Sequence, residues 1–268
     1  MVANRCGRKK SDASSPGGRN DLSRRRLLGA ASTFAASMML PFGLPRSAKS
    51  QAPTASPPAP LTAIDTLLDP DQTMVQKAIA ANARLRQSFP EGFTLDETHQ
   101  PHISMLQRYV RTSDLTKVYG AVETILDDER PATWKLTAYK YYFIPWKNVG
   151  LAGIVIKPTE DLRKFQQKLI DAIAPFTAKT GTASAFVRTK EDPEINQPTI
   201  DYVAHYVPAA SGANFNPHVT IGVASQGFLR KLLKEKFDEF TFSPTGVSVF
   251  HLGNFGTARA KLKSWSFT

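Results

Sequence analysis

The apolar residues of this chain recur at two spacings, one typical of helices and one typical of strands. The longest helical pattern begins at Asp69-Pro70, where an N-cap residue is followed by proline at the first helical position. Its apolar stripe consists of Met74, Ala78, Ala81 and Leu85, widened by Val75 and Ile79. The pattern predicts a helix of about 18 residues that ends before Phe89-Pro90.

The same two periodicities divide the rest of the globular sequence into elements. They predict a strand over residues 102–110, a helix over 113–126, a hairpin over 134–144 and 149–156, a helix from 159 to 175, a short helix over 200–206, a strand around 216–222, a helix over 228–237, and two strands over 246–252 and 259–265. Residues 177–198 are long and polar, and they predict a surface loop.

The order helix, strand, helix, hairpin therefore occurs twice along the chain. Such a repetition predicts an α+β fold of two similar lobes, with antiparallel sheets and flanking helices, related by a pseudo-twofold axis. We expect one strand from each lobe to face a shared groove, and we expect the active site to lie in that groove.

The N-terminal 50 residues differ from the rest of the chain. Residues 1–20 are polar and basic, and Ser23-Arg24-Arg25-Arg26-Leu27-Leu28 precedes a modestly apolar run over residues 27–40. The run is shorter than the roughly 20 apolar residues of a membrane span. This pattern resembles a twin-arginine export signal, and Ala48-Lys49-Ser50 offers a cleavage site before Gln51. An uncleaved anchor is the alternative.

This prediction divides the chain into a signal at residues 1–50, a linker rich in proline at 51–63 and a globular domain at 64–268. It places the mature protein in the periplasm or outside the cell, without stable membrane association once the signal is cleaved. The export machinery is then a partner. We expect the mature protein to be a monomer.

Setting the predicted signal apart changes what the net charge and the cysteine content imply. The first 50 residues hold 10 of the 34 Lys and Arg residues and 2 of the 23 Asp and Glu residues, which leaves 24 against 21 and a net charge of +3. The basic character of the chain therefore does not predict a nucleic-acid surface. The single cysteine, Cys6, precedes the apolar run, so the mature domain has no disulfide.

Two short segments share a five-residue pattern, Pro-His-apolar-hydroxyl-apolar. They are Pro101-His102-Ile103-Ser104-Met105 and Pro217-His218-Val219-Thr220-Ile221. Side chains alternate between the two faces of a strand, so each segment presents an imidazole and a hydroxyl on one face and apolar residues on the other. Two such strands meeting at a groove would supply an acid and a base.

At these residues the sequence resembles the two-histidine phosphoesterases, which include RNA 2',3'-cyclic phosphodiesterases and enzymes called 2'-5' RNA ligases. The resemblance covers roughly residues 61–268, and Ser104 stands where threonine is commoner. It implies a phosphodiesterase that uses His102, Ser104, His218 and Thr220 without a metal or other cofactor. It also implies a cyclic nucleotide or an RNA 3' end as the partner, and the two-lobed fold predicted above.

In this interpretation the two histidines supply acid and base, and the two hydroxyls donate hydrogen bonds to non-bridging phosphate oxygens. The family pattern favours His218 as the base that activates water and His102 as the acid. Hydrolysis and ligation both stay open, and so does the physiological substrate.

Other interpretations of the same residues stay open as well. Each histidine could be a strand residue with a hydroxyl neighbour, and the pair could bind zinc, although neither motif strand offers further ligands at metal-site spacing. An exported binding protein with no activity is a third class. Several further residues are weaker candidates for base stacking or phosphate binding, namely Tyr109, Tyr142, Trp146, Phe215, Arg108 and Arg188.

Overall fold

A computed structural model describes residues 59–190 and 192–267. Its strands are β1 (Leu61–Pro70), β2 (Ile103–Arg111), β3 (Leu136–Trp146), β4 (Val149–Ile156), β5 (Thr177–Ala178), β6 (His218–Ser225), β7 (Phe240–Phe242), β8 (Pro244–Leu252) and β9 (Ala258–Ser266). The predicted signal, and residues 51–58 of the predicted linker, lie outside the described residues. None of the described helices is long and apolar enough to span a membrane.

The helices are α1 (Gln72–Ser88), α2 (Leu115–Asp128), α3 (Glu160–Ile173), α4 (Gln197–Ala210) and α5 (Gln226–Leu232). Polar side chains at their N-termini satisfy backbone N–H groups that have no partner inside the helix. Asp71 caps α1, Thr159 caps α3, Asn196 caps α4 and Ser225 caps α5. The predicted α+β class and its flanking helices are confirmed.

The strands form one antiparallel sheet in the order β7-β3-β4-β6-β2-β1-β8-β9, with β5 paired to the far end of β2. The two motif strands, β6 and β2, lie side by side in the middle, and four strands stand on each side of their junction. The two predicted lobes are therefore the two halves of a single sheet.

The hairpins are exchanged between the two repeats of the sequence. The hairpin β3-β4 follows β2 in the chain, yet β4 pairs with β6. The hairpin β8-β9 follows β6, yet β8 pairs with β1, which is the neighbour of β2. Each half of the sheet thus combines strands from both ends of the domain.

The prediction missed β1, and the observed helix α1 begins later than predicted. Residues 61–63 are strand and not linker, and Asp69-Pro70 ends β1 instead of capping α1. Asp71 is the N-cap, because its carboxylate accepts hydrogen bonds from the N–H groups of Thr73 and Met74. The apolar pattern did not predict this strand, because Asp65 and Thr66 interrupt its apolar residues.

The apolar stripe of α1 is narrower than predicted. Its four main members, Met74, Ala78, Ala81 and Leu85, are buried, but Val75 is only half-buried and Ile79 is 46% exposed. Their burial joins α1 to the main core, which the sheet shares with all five helices.

The second half of the chain departs from the prediction in four places. Residues 177–198 do not form a plain surface loop, because Phe186 and Ile195 are buried in a second cluster with Tyr109 and Val203. Helix α4 is longer than the predicted 200–206, and α5 is shorter than the predicted 228–237. The short edge strand β7 was not predicted.

Candidate active site

The two motif strands bring their four polar side chains to one face of the sheet. Ile103 and Val219 pair directly across the junction of β2 and β6, and both are fully buried. Because residues alternate along a strand, His102 and Ser104 lie on the opposite face to Ile103, and His218 and Thr220 lie on the opposite face to Val219. All four are partly exposed there, so the predicted set is brought together.

Each histidine is fixed by the same local hydrogen bond. The Nδ1 of His102 lies 2.7 Å from the carbonyl oxygen of Gln100, and the Nδ1 of His218 lies 2.8 Å from that of Asn216. A carbonyl oxygen only accepts, so Nδ1 carries the proton in both rings. Each Nε2 is therefore the atom available for proton transfer.

A buried carboxyl lies beside the first motif. Asp65 on β1 is fully buried, and its Oδ2 accepts a hydrogen bond from the Ser104 hydroxyl at 2.5 Å and from the Gln107 amide at 3.0 Å. The same oxygen is 3.9 Å from Nε2 of His102, an ion-pair distance that is too long for a direct hydrogen bond. Asp65 Oδ1 is buried with no hydrogen-bond partner among the described residues.

A bulge in β2 explains how Ser104 and Gln107 both reach Asp65. Gln107 pairs with Asp65 and Leu106 with Thr66, but the next pair is Ser104 with Leu67, so Met105 is an extra residue. The extra residue turns the side chains at positions 104 and 107 to the same face, although a regular strand would place them on opposite faces.

Burial and charge set the protonation of two of these groups. Burial raises the pKa of Asp65 from its ordinary value of 3.8 to about 6, against the lowering effects of His102, Ser104 and Gln107. Burial also lowers the pKa of His218, and the nearby charge of His102 adds to this, against the bond to Asn216. His218 is therefore neutral near pH 7, the form required of a base.

An aromatic ring covers the second motif. Tyr142 on β3 makes an edge contact with His218, with ring centroids 4.8 Å apart. The ring crosses Gly153 on β4, where an added Cβ would lie 2.5 Å from Tyr142 Cε1. Gly153 pairs in turn with Thr220. The absence of a side chain at Gly153 therefore allows Tyr142 to reach the imidazole.

Two exposed aromatic residues meet across the sheet. Trp146 ends β3 and Phe255 lies in the loop before β9, and their ring centroids are 5.4 Å apart. Four strands separate β3 from β8 in the sheet order. A contact between these two hairpins requires the sheet to curl, so that its motif face is concave.

The weaker candidates separate into two groups. Tyr142 contacts His218 and Trp146 is 52% exposed, whereas Tyr109 and Phe215 are buried in the core. The hydroxyl of Tyr109 donates to the Ile200 carbonyl, so stacking on a base is excluded for it by its packing.

Sequence reasoning missed Asp65, Gln107 and Tyr206. Tyr206 on α4 is buried, and its hydroxyl donates to the Ser104 carbonyl at 3.2 Å. A lone carboxylate inside the apolar run at 61–68 was the available signal for Asp65. Among residues 59–190 and 192–267, no three His, Cys, Asp or Glu side chains lie close enough together to hold a metal ion.

A search of protein-family models and a search of curated proteins found no match to this sequence. Among solved structures, the chain is similar to TT0787 of Thermus thermophilus, at 13% identity and a TM-score of 0.47 over 76% of this chain and 97% of that one. It is similar to E. coli LigT complexed with ATP at 13% identity and a TM-score of 0.40, over 78% of this chain and 99% of that one.

Usb1 of Kluyveromyces marxianus is similar at 9% identity and a TM-score of 0.39, over 78% of this chain and 99% of that one. At TM-scores below 0.5, these similarities say nothing about the activity of this protein.

Proposed function

We propose that this protein is a phosphodiesterase that opens the 2',3'-cyclic phosphodiester of a nucleotide or an RNA 3' end by acid–base catalysis, without a metal. One observation carries the proposal. The pair Ile103–Val219 puts two imidazoles and two hydroxyls on a single concave face, with Nε2 of each ring available. Opening a cyclic phosphodiester needs one group to take a proton and another to give one.

In the proposed reaction, Nε2 of His218 takes a proton from water as the water oxygen attacks phosphorus. Nε2 of His102 gives a proton to the departing ribose oxygen. The lowered pKa of His218 supports its role as the base. These are the roles that the family pattern favours.

The two hydroxyls have unequal roles in this proposal. Thr220 makes no side-chain hydrogen bond to the described part of the chain, so its hydroxyl is available to a non-bridging phosphate oxygen. Ser104 already donates to Asp65 while that carboxyl is ionised. We therefore assign phosphate binding to Thr220 and a supporting role to Ser104.

The test is hydrolysis of adenosine 2',3'-cyclic phosphate by the purified protein, with and without a chelator. Turnover that survives chelation and is lost in His218→Ala supports the proposal. The matched control is His205→Ala, which removes an exposed imidazole from α4. Activity abolished by chelator favours a zinc-dependent hydrolase, and binding of the nucleotide without turnover favours an inactive binding protein.

We also propose that residues 1–50 direct export by the twin-arginine route, so that the enzyme acts in the periplasm or outside the cell as a monomer. The Arg-Arg-Arg run at 24–26, followed by a short apolar segment, supports this. There it would meet small cyclic phosphodiesters or the ends of RNA fragments.

A further inference from the structure

The two halves of the sheet match each other residue by residue around the motif strands. On β2, Ser104 pairs with Leu67 on β1, and the extra residue Met105 follows. On β6, Thr220 pairs with Gly153 on β4, and an extra residue again follows, so that Gly222 pairs with Ala152. The same bulge therefore stands one residue after each hydroxyl.

This match identifies an equivalent for every residue near the site. Gln107 is three residues after Ser104 and pairs with Asp65. Val223 is three residues after Thr220 and pairs with Leu151. Leu151 thus occupies in one half the position that Asp65 occupies in the other. Among the described residues, the site has two equivalent histidines but one carboxyl close to them, on the side of His102.

The carboxyl is held by groups that leave it directed at His102. Asp65 is fully buried, Ser104 and Gln107 both donate to its Oδ2, and that oxygen is 3.9 Å from His102 Nε2. The other titratable groups that interact with Asp65 are phenols on α4, Tyr202 and Tyr206, which stay neutral because burial raises the pKa of each.

We propose that Asp65 is the residue that makes the two histidines unequal, by stabilising the positive charge of the His102 ring, so that His102 serves as the acid and His218 as the base. The proposal rests on the function proposed above and deepens it. An imidazolium near a buried carboxylate is attracted by it, whereas Leu151, at the equivalent position in the other half, offers no charge to His218.

The reaction balances with these roles. Water loses a proton to His218 as its oxygen forms the new bond to phosphorus. The bond from phosphorus to one ribose oxygen breaks, and that oxygen receives the proton of His102. The product is a phosphomonoester and a free hydroxyl, and solvent restores a proton to His102 and removes one from His218. Asp65 neither gains nor loses a proton in the cycle.

Burial raises the pKa of Asp65 to about 6, but the carboxyl is still ionised at neutral pH, as the proposal requires. Ser104 must then donate to it, which leaves Thr220 as the hydroxyl that serves the phosphate. The charge of Asp65 therefore makes the two hydroxyls unequal, as well as the two histidines.

The test compares Asp65→Asn with Asp69→Asn. Asparagine keeps the size of the side chain and an oxygen that can accept from Ser104. Asp69 is a matched control, because it lies on the same strand and accepts a hydrogen bond from a serine, Ser248, at 2.7 Å, but in the described chain makes no hydrogen bond or ion pair with either motif histidine or motif hydroxyl. Both variants are assayed for kcat/KM against pH, on adenosine 2',3'-cyclic phosphate.

We expect Asp65→Asn to lower kcat/KM at pH 8 by about tenfold or more, and to change it little at pH 5, where the wild-type carboxyl is largely protonated. Asp69→Asn should match the wild type. A profile for Asp65→Asn that coincides with the wild type, or that is reduced by one constant factor at every pH, would overturn the proposal.

A second measurement separates this proposal from the proposed function. The NMR signal of the His102 imidazole is followed against pH and needs no turnover. Replacing Asp65 by asparagine removes the negative charge 3.9 Å from His102 Nε2, so a smaller fraction of His102 should be protonated at pH 7 than in the wild type, whereas Asp69→Asn should match the wild type. An unchanged His102 signal in Asp65→Asn at every pH would sink the role of Asp65. Absence of turnover by the wild type, with this difference present, would sink only the proposed reaction.

Discussion

Ile103 lies directly opposite Val219 at the one residue pair that joins β2 to β6 in the described chain, and neither side chain is exposed to solvent. A shift of either strand by one residue would turn a histidine into the core and an apolar residue into the site. The two buried side chains thus fix the register that puts both histidines on one face.

Replacing either histidine by alanine should lower kcat by about 10² to 10⁴, the range for loss of one acid or base. The double variant His102→Ala/His218→Ala should be little worse than either single variant, because the two groups act as a unit. Steady-state kinetics on adenosine 2',3'-cyclic phosphate measure the effect, with His205→Ala as the control. Near wild-type turnover in either single variant would contradict the assignment.

Thr220→Ala should weaken transition-state binding by about 2 to 4 kcal/mol, as loss of one preorganised donor does. Thr220→Ser keeps the hydroxyl and should be mild. The free-energy change is obtained from the ratio of kcat/KM values. Ser104→Ala should instead alter the pH dependence, because Asp65 loses a hydrogen bond that lowers its pKa. Equal, pH-independent losses in both alanine variants would show that the hydroxyls share one role.

Gly153→Ala should displace Tyr142 from His218, because the new Cβ would lie 2.5 Å from Tyr142 Cε1 and 3.1 Å from the Val219 carbonyl oxygen. Crowding of this kind costs about 1 to 3 kcal/mol of folding free energy. The free energy of unfolding, measured in urea, and kcat/KM should both fall. Gly120→Ala on α2 is the control, since a Cβ there meets nothing within 4 Å and favours the helix by roughly 1 kcal/mol. Unchanged activity in Gly153→Ala would show that the contact between Tyr142 and His218 does not contribute to activity.

The ionisation of Asp65 should work against folding. Its pKa is raised from 3.8 to about 6 in the folded protein, so the folded state binds the extra proton between these values. The cost is absent below pH 3.8, grows as the pH rises, and is complete above pH 6, where it reaches about 3 kcal/mol. Relative to the wild type, Asp65→Asn should gain up to this amount in unfolding free energy between pH 4 and pH 8. If the difference in unfolding free energy between Asp65→Asn and the wild type does not change with pH, burial does not raise the pKa of the carboxyl.

Replacing Arg24 and Arg25 by lysine should keep an active enzyme inside the cell if residues 1–50 are a twin-arginine signal. Activity should move between compartments without being lost, because proteins on this route fold before they cross the membrane. Cell fractionation followed by the cyclic phosphate assay measures the distribution. Export that does not depend on the arginine pair would overturn the signal assignment.

The local pattern of the sequence was sufficient for most helices and for both motif strands. Periodicity alone located α3, capped by Thr159, and the hairpin β3-β4. It could not show that this hairpin pairs with β6 instead of β2, because pairing between distant strands leaves no trace in the order of elements. The adjacency of His102 and His218 came from the repeated motif and not from the predicted topology.

There is a physical reason why the sequence did not predict Asp65 as a residue of the site. A carboxylate in a run of apolar residues suggests a loop, since ionised groups are rarely buried. Its partners, Ser104 and Gln107, are three residues apart, a spacing that places them on one face only because β2 contains a bulge at Met105. No rule of alternation predicts which strand will carry an extra residue.

Strand β1 lies between β2 and β8, although β1 opens the described chain and β8 nearly closes it. Pairs that are so distant in sequence form slowly. During synthesis the backbone groups of β1 that pair with β8 stay unpaired until almost the whole chain has been made. A strand that is unpaired for this time is prone to aggregation and chaperone binding. A ribosome-bound chain halted at residue 240 would already contain both histidines, yet it would lack the strand that encloses Asp65. Such a chain should be inactive until β8 has been made.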